Sequence, residues 1–491
     1  MKPLDYIVLA GYFLIVFLIA GVFSKSQTSL KDYFLGSRNI PWWAASFSGI
    51  ATIASAISYI GAVGLGFSSN FSFLQYRLAL PLSLLIICVV ILPFFYNLNL
   101  YSIYEYLEKR FGLGIRLLSS GLFVLFKCCF LAIGIYAPAI IIEVLTGSNT
   151  LLIILMTGLL TTIYTFLGGI KAVIWTDTLQ LFILLGGIFV VIGTGISGVH
   201  GGFSEVFKVA REFDKFKYFN FSFHPTNTYT IWGGIIGGTF LMISQFGTDQ
   251  SEMQRFLTVG SLRKARLALI SSLLVTSILG FLIFFEGTVL FAFYHQKGNT
   301  AIASNQVFIK FIVEELPIGL RGFLIAAIFA AGMSTISSVL NSITAVVLTD
   351  FYNRFKKNEA TVLFARMVTL ILGIFSTLLA CLGEYLGNIL ESATMIINFF
   401  GGSIVGVFLL GMLSRRAGRK GALIGFLSAF IAVLLVASFT RISFMWYSVI
   451  GVIITCVVGE IVSGVAGEEI SIEQKALVYD LRRVIIKRSN H

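Results

Sequence analysis

The chain has 491 residues, of which 57% are hydrophobic and only 12% are charged, and its mean hydropathy is +0.93. This composition lies far outside the range of soluble domains and excludes a soluble globular protein. The net charge of +12 does not indicate nucleic-acid binding, because the basic residues are distributed between apolar segments and form no single patch.

Apolar stretches that are long enough to cross the hydrocarbon core as a helix recur from one end of the chain to the other. They predict an all-α polytopic membrane protein with about thirteen transmembrane helices. The predicted spans are 5–24, 41–66, 71–96, 118–145, 150–168, 172–198, 229–254, 267–295, 318–350, 359–380, 387–413, 420–438 and 442–465. Because the polar gaps are short, we expect 1–465 to form a single transmembrane domain, followed by a basic cytoplasmic tail at 466–491.

The positions of the basic residues predict the orientation of the chain. With the N-terminus outside and the spans alternating, most lysines and arginines, including Arg255, fall on the cytoplasmic side. This arrangement follows the positive-inside rule. We therefore expect a multi-pass protein of the plasma or inner membrane, with its N-terminus outside and its C-terminus in the cytoplasm.

Three charged residues lie well inside apolar segments, where a charge is costly and therefore indicates function. Asp177 lies about five residues into its predicted span, where a bound cation would stabilise the carboxylate. Lys127 and Arg77 are expected to face either a cavity or an acidic partner. Glu143, Glu286 and Arg366 lie nearer to segment ends, where long side chains can reach the headgroups.

The apolar run at 318–350 contains the segment AGMSTISSVLNS, from Ala331 to Ser342. At 100° per residue, its polar side chains share one face of a helix. They are Ser334, Thr335, Ser337, Ser338, Asn341 and Ser342. Hydroxyl and amide oxygens are hard ligands that suit a hard cation, so this face predicts a cation or solute path. The alternative is that the small hydroxyls only allow helices to pack closely and bond to their own backbone carbonyls.

The sequence shows no pattern that is typical of an enzyme. The five cysteines and four histidines have no disulfide or metal-ligand spacing, and there is no nucleotide-binding glycine loop. We therefore predict that the chain is not an enzyme, and that its partners are a small organic solute and the lipid bilayer, with no nucleic acid and no evident obligate protein partner. A channel or a non-transporting sensor remains a possible alternative class.

Five segments, in this order, are similar to motifs of the sodium:solute symporters, a family that includes sugar, sialic acid, proline, iodide and monocarboxylate carriers. The segments are DYFLGSRNIPWW (32–43), SIYEYLEKRFG (102–112), GGIKAVIWTDTLQ (168–180), FGTDQSEMQRFLT (246–258) and AAIFAAGMSTISSVLNS (326–342). The resemblance implies the leucine-transporter-like inverted five-helix repeat. The extra leading helix would be 5–24, the repeats 41–198 and 229–413, and the trailing helices would lie within 420–465. The solute would lie near the midplane, where 41–66 and 229–254 lose regular winding.

The resemblance also implies ion sites, with Na⁺ as the coupling ion. The main site would use the backbone carbonyls of Ala51, Ala54 and Ala331 and the hydroxyls of Ser334 and Thr335. The second site, which only some members have, would use Asp177 with Ser337 and Ser338, and would share Ser334 with the main site. We therefore expect a symporter that imports two Na⁺ with each solute by alternating access.

The solute itself is less clearly indicated. By position, the candidate substrate-binding residues are Ser55, Ser58, Arg77, Lys127, Phe130, Gln245, Thr394 and Asn398. Sialic acid carriers hold the substrate carboxylate with an arginine. At the position that resembles it, this chain has Phe130, which argues against sialic acid. Arg77 or Lys127 could instead bind a carboxylate, and we favour a small organic anion. The alternative is that Arg77 pairs with an acidic side chain and that the solute is a neutral sugar or sialic acid.

Overall fold

The computed structural model describes residues 2–24, 30–98, 100–356, 360–383 and 389–479. All regular secondary structure in these ranges is helical, and the single β-type contact is an isolated bridge between Ile40 and Val259. The predicted all-α polytopic fold is therefore confirmed.

Thirteen helices form the body of the protein. They are α1 (Pro3–Ser24), α2 (Trp42–Ile53), α3 (Ala56–Ser68), α4 (Phe71–Leu98), α5 (Leu113–Thr146), α6 (Thr150–Ser197), α7 (Gln250–Leu257), α8 (Leu262–Gln296), α9 (Leu320–Val346), α10 (Val362–Ala380), α11 (Ile389–Leu413), α12 (Arg419–Phe439) and α13 (Tyr447–Ala466). The remaining helical segments are Leu30–Leu35, Gly36–Arg38, Tyr104–Phe111, Gly202–Glu212, Gly233–Gly237, Gly238–Met242, Ile243–Gly247, Ser304–Glu315, Val347–Tyr352, Asn353–Phe355, Phe444–Trp446 and Ile472–Ala476.

The predicted count of thirteen transmembrane spans is not confirmed. The described residues contain ten helices that are long and apolar enough to cross a membrane, or eleven if α2 and α3 together form one span. The predicted spans 150–168 and 172–198 are joined in the 48 residues of α6, which bends at Gly169. The φ of 52° and ψ of −166° at Gly169 form a backbone conformation that is essentially restricted to glycine.

The two segments that the resemblance predicts to lose regular winding are both irregular. Helices α2 and α3 meet at an angle of 58°, and the Ser55 side chain caps the new helix by accepting a hydrogen bond from the Ser58 amide. In the second segment, π-helical turns at Gly233–Gly237 and Ile243–Gly247 lead to a break before α7. The Asp249 side chain then caps α7. Each break thus exposes helix ends inside the protein.

The centre of the fold is α9, which is almost completely buried. It contacts α1, α2, α5 and α6. Glycines bring other helices into backbone contact: a Cβ at Gly287 of α8 would lie 2.2 Å from the Val63 carbonyl oxygen of α3. The broken helices therefore pack on a rigid frame, which holds their irregular turns at a fixed distance from α9.

Asp5 joins α1 to the start of α9, and we expect it to stabilise the fold. Its Oδ1 accepts hydrogen bonds from the amides of Gly319 and Gly322, at 2.8 and 3.1 Å. The substitution Asp5→Ala is expected to lower the free energy of unfolding by about 1–2 kcal/mol, as for other lost helix caps. Denaturant unfolding in detergent measures this change. Asp5→Asn keeps an acceptor oxygen and should lose less, whereas equal losses in both variants would contradict the capping role.

Candidate functional site

A central cavity lies between the two broken helices, with a volume of about 1400 Å³ that includes space open to solvent. Its wall is largely apolar and aromatic, with a small number of polar groups. This is the composition of most small-molecule sites. Seven of the eight predicted substrate residues line it, namely Ser55, Ser58, Arg77, Lys127, Phe130, Gln245 and Thr394.

The eighth predicted substrate residue, Asn398, does not line the cavity. Its side chain is fully buried, accepts a hydrogen bond from the Ser448 hydroxyl at 2.8 Å and donates one to the Thr394 carbonyl. Ser448 belongs to α13, so Asn398 joins this trailing helix to α11. The structure therefore places Asn398 in the packing of α11 against α13 and not on the wall of the cavity.

The predicted main ion site is assembled where α2 ends beside α9. The Ser334 hydroxyl donates to the carbonyl oxygens of Ala51 and Ala331, at 2.9 and 3.0 Å. The Thr335 hydroxyl donates to the Thr52 carbonyl at 2.7 Å and approaches Ala331 O at 3.3 Å. These oxygens are buried and carry no formal charge, which suits weak, reversible binding of a hard cation.

Ala54 differs from the other four predicted residues of this site. It ends α2 with its amide bonded to the Ile50 carbonyl, at 2.9 Å, and it lines the central cavity. Thr52, which was not predicted, supplies the carbonyl that meets Thr335. Because the chain turns by 58° at this point, carbonyls that a regular helix would bond internally are turned towards α9.

The second predicted site is centred on Asp177, which is fully buried. Its Oδ2 accepts hydrogen bonds from Ser48 at 2.6 Å and from Ser338 at 2.9 Å, while Oδ1 has no partner in the described part of the chain. Ser337 does not reach Asp177, since its hydroxyl bonds to the Ser334 carbonyl at 3.2 Å. The structure thus brings Ser338 to the carboxylate, and adds Ser48 from α2.

Arg255 is the main residue that sequence reasoning misplaced. It is buried, not in a cytoplasmic loop, and its guanidinium lies 2.6 Å from Glu252 Oε1 and 3.9 Å from Asp177 Oδ2. It also donates to the hydroxyls of Ser48 and Thr52. The dense run of polar residues from Asp249 to Arg255 is typical of a water-exposed helix end. The break before α7 instead turns this run into the protein.

Lys127 and Arg77 both line the cavity, but they have different surroundings. Lys127 forms an ion pair with Asp249 and lies over the ring of Phe130. Arg77 lies over the Tyr76 ring and donates to the Ser277 hydroxyl at 3.3 Å. No carboxylate of the described residues lies within 4.0 Å of Arg77, and its Nε has no hydrogen-bond partner there. Arg77 is therefore the cation of the cavity that has no acidic partner in this part of the structure.

Comparison with known proteins agrees with this architecture. The sequence profile of the sodium:solute symporter family matches residues 33–428. The sodium/sialic acid symporter NanT of Aliivibrio fischeri is 34% identical over 467 residues, which cover 93% of this chain and 92% of the relative. The human sodium-coupled monocarboxylate transporter 1 is 30% identical over 440 residues, which cover 87% of this chain and 72% of that protein.

Among solved structures, the substrate-bound, outward-open state of a Na⁺-coupled sialic acid symporter has a TM-score of 0.87 at 33% identity. The alignment covers 94% of this chain and 98% of the other. A profile that spans most of the chain, two relatives that align with most of the chain and a shared fold all lead to one assignment. The chain belongs to the sodium:solute symporter family and is a Na⁺-coupled membrane transporter, not an enzyme.

Proposed function

We propose that this symporter imports a small organic anion that carries a carboxylate, with two Na⁺ per solute, and that Arg77 binds the carboxylate. The observation that carries the proposal is the guanidinium of Arg77 in the central cavity, without an acidic partner among the described residues. A cation at this depth is costly unless a counter-ion compensates it. A solute carboxylate supplies that counter-ion and accepts charge-assisted hydrogen bonds.

The surroundings of Arg77 support binding of a planar anion. Its position is fixed by the Tyr76 ring, at 4.8 Å, and by Ser277. Gly280 makes room for it, since a Cβ there would lie 3.0 Å from Nη2. Lys127 is less suitable, because Asp249 already neutralises its charge. A solute whose carboxylate bound Arg77 would lie in the cavity, with the rest of the solute against aromatic side chains.

The charges near Asp177 support a second Na⁺. Among the described residues, the carboxylates of Asp177, Asp249 and Glu252 face two cations, Lys127 and Arg255, which leaves a formal charge of −1 when all five are ionised. One Na⁺ would neutralise this cluster, and the uncharged main site would hold the other. Each inward charge gains about 2.3 kcal/mol per 100 mV of membrane potential.

Alternating access would follow from the position of the main site. A Na⁺ there would replace the hydrogen bonds from Ser334 and Thr335 to the end of α2, and would hold the broken helix against α9. This stabilises the cavity in a form that receives the solute. The solute must tighten Na⁺ binding by the same factor by which Na⁺ tightens solute binding, because coupling between two binding sites is reciprocal. The N-outside, C-inside orientation in a plasma or inner membrane remains part of this proposal.

Sialic acid is the second candidate solute, and the relatives that transport it favour this reading. Sialic acid also carries a carboxylate, so Arg77 would serve it in place of the arginine that those carriers are expected to have where this chain has Phe130. The two candidates therefore differ in solute size and share the anchoring group.

The test is uptake into proteoliposomes with an inward Na⁺ gradient. Radiolabelled sialic acid, short monocarboxylates, sugar acids and neutral sugars are compared, each acid against its uncharged methyl ester. We expect Na⁺-dependent uptake of one acid and little or none of its ester. Equal uptake of acid and ester, or uptake of neutral sugars alone, would contradict the carboxylate proposal.

A further inference from the structure

Two buried oxygens lie close to Gly49, on the face of α2 that meets α7 and α8. A Cβ at Gly49 would lie 3.0 Å from the Ser272 hydroxyl and 3.1 Å from Glu252 Oε2, which is a tight contact. These two oxygens come from different helices and approach the same part of α2. The glycine at residue 49 lets both of them come this close to the backbone.

Both oxygens lack partners in the described part of the structure. Ser272 is fully buried and Glu252 is 4% exposed, yet neither Ser272 Oγ nor Glu252 Oε2 has a hydrogen bond there. Thr276, one turn along α8, has an unpartnered hydroxyl as well, and it lines the central cavity together with Glu252. Buried polar oxygens without partners are rare and costly, so their convergence indicates a missing ligand.

The charges explain which kind of ligand fits. Arg255 lies between two carboxylates, with Nη1 2.6 Å from Glu252 Oε1 and Nη2 3.9 Å from Asp177 Oδ2. One guanidinium cannot neutralise both, so the cluster favours one additional monovalent cation beside either carboxylate. Carboxylate and hydroxyl oxygens are the hard ligands that such a cation prefers. Glu252 borders the cavity, whereas Asp177 does not.

We propose that Na⁺ occupies a position beside Gly49, with Glu252 Oε2 and Ser272 Oγ as ligands, and that this ion exchanges with the Asp177 position. This inference rests on the proposed two-ion coupling and adds a second location for one of the two ions. An ion beside Glu252 leaves Arg255 to neutralise Asp177, and an ion beside Asp177 leaves Arg255 to neutralise Glu252. The two positions are therefore occupied alternately, and the one that borders the cavity is filled first.

Two substitutions that change no charge test the position. Ser272→Ala removes one ligand oxygen without breaking a described hydrogen bond, and Gly49→Ala places a methyl group against both ligand oxygens. We expect each variant to raise the Na⁺ concentration for half-maximal uptake about tenfold. This is the lower end of the loss in metal affinity that follows when a group supporting a metal site is removed. The Na⁺ Hill coefficient should remain at two, because the Asp177 position is intact. Both are measured as initial rates in proteoliposomes at saturating solute.

Matched controls are available, one on α8 beside Ser272 and one on α6. Ser271→Ala removes the neighbouring serine, whose hydroxyl already bonds to Ser46 and Leu267, and Gly193→Ala adds a methyl group where no heavy atom lies within 4 Å. Both should keep the wild-type Na⁺ dependence. Thermal unfolding in choline chloride checks the fold, and Ser272→Ala should be at least as stable as the wild type there, since it deletes a polar group with no described partner.

The outcomes separate this inference from the proposed function. If Ser272→Ala and Gly49→Ala both keep the wild-type half-maximal Na⁺ concentration, the position beside Gly49 is wrong. That conclusion would hold even if Glu252→Gln weakened Na⁺ dependence, because its effect would then arise through Arg255. A wild-type Hill coefficient of one would instead refute the two-ion coupling itself.

Discussion

Asp177→Asn is expected to convert uptake of the anion from an electrogenic to an electroneutral process. The variant keeps the size of the side chain and an acceptor oxygen, but it removes the charge that would hold the second Na⁺. The charged cluster then has a net formal charge of zero, and the Hill coefficient for Na⁺ should fall from two to one. With one Na⁺ per monoanion, no net charge crosses the membrane.

The expected size of this effect follows from the membrane potential. One charge gains about 2.3 kcal/mol at 100 mV, which corresponds to about fiftyfold in solute accumulation. The measurement compares accumulation in proteoliposomes with and without a potassium diffusion potential, inside negative. The wild type should respond to the potential and Asp177→Asn should not.

Ser48→Ala is the control for Asp177. It removes one hydrogen bond to Oδ2 and leaves the carboxylate in place. We expect weaker Na⁺ dependence with a Hill coefficient that stays at two and an unchanged response to the potential. If Asp177→Asn also retained a coefficient of two and full response, the second Na⁺ would have to bind elsewhere.

Arg77→Gln is expected to raise the KM for the anionic solute about 10- to 100-fold. This range corresponds to the loss of one hydrogen bond to a charged group, which contributes about 1.5–3 kcal/mol. Glutamine retains a donor but not the charge or the paired N–H groups of the guanidinium. The Hill coefficient for Na⁺ should not change, because Arg77 does not contact the described ion-site residues. Initial rates over a range of solute concentrations at saturating Na⁺ measure the change in KM.

Two variants show whether the charge of Arg77 or its geometry matters. Arg77→Lys keeps a cation but loses the planar fork, so we expect a KM between those of the wild type and Arg77→Gln. Gly280→Ala keeps the arginine and displaces it, since the new Cβ would lie 3.0 Å from Nη2. If all three variants transported the anion with the wild-type KM, Arg77 would serve packing alone.

The wall of the cavity also explains why Lys127 is a poor anchor for an anion. Its ammonium pairs with Asp249 and lies over the rings of Phe126 and Phe130, at 4.9 and 5.3 Å. This arrangement stabilises the cation before any solute arrives. Two basic residues that look equivalent in the sequence are therefore distinguished by what each one contacts.

Local patterns of the sequence are sufficient to identify the class of the protein and the polar face of α9. Hydropathy over about 20 residues indicates membrane helices, because the hydrocarbon core requires that length. The 100° period places the polar residues of α9 on one face before any contact is known. The structure then brings Ser334, Thr335 and Ser338 of that face to α2 or Asp177.

The same local reading failed where the chain departs from a regular helix. The segment from Asp249 to Arg255 lies at the end of the predicted span 229–254, with Arg255 expected on the cytoplasmic side. In the fold, the break before α7 turns it inward, and its charges are compensated by Lys127 and by Asp177. Hydropathy assigns a cost to each residue separately and cannot register this mutual compensation.

Sequence patterns alone indicate an all-helical membrane transporter, its family and one polar face on α9. The pairing of the charges is visible only in the fold: Arg255 lies between Glu252 and Asp177, Lys127 pairs with Asp249, and Arg77 has no carboxylate partner among the described residues. The physical reason is distance along the chain. Ser48 and Asp177 are 129 residues apart and Thr52 and Ser338 are 286 apart, so their contacts depend on how broken helices pack and not on any local pattern.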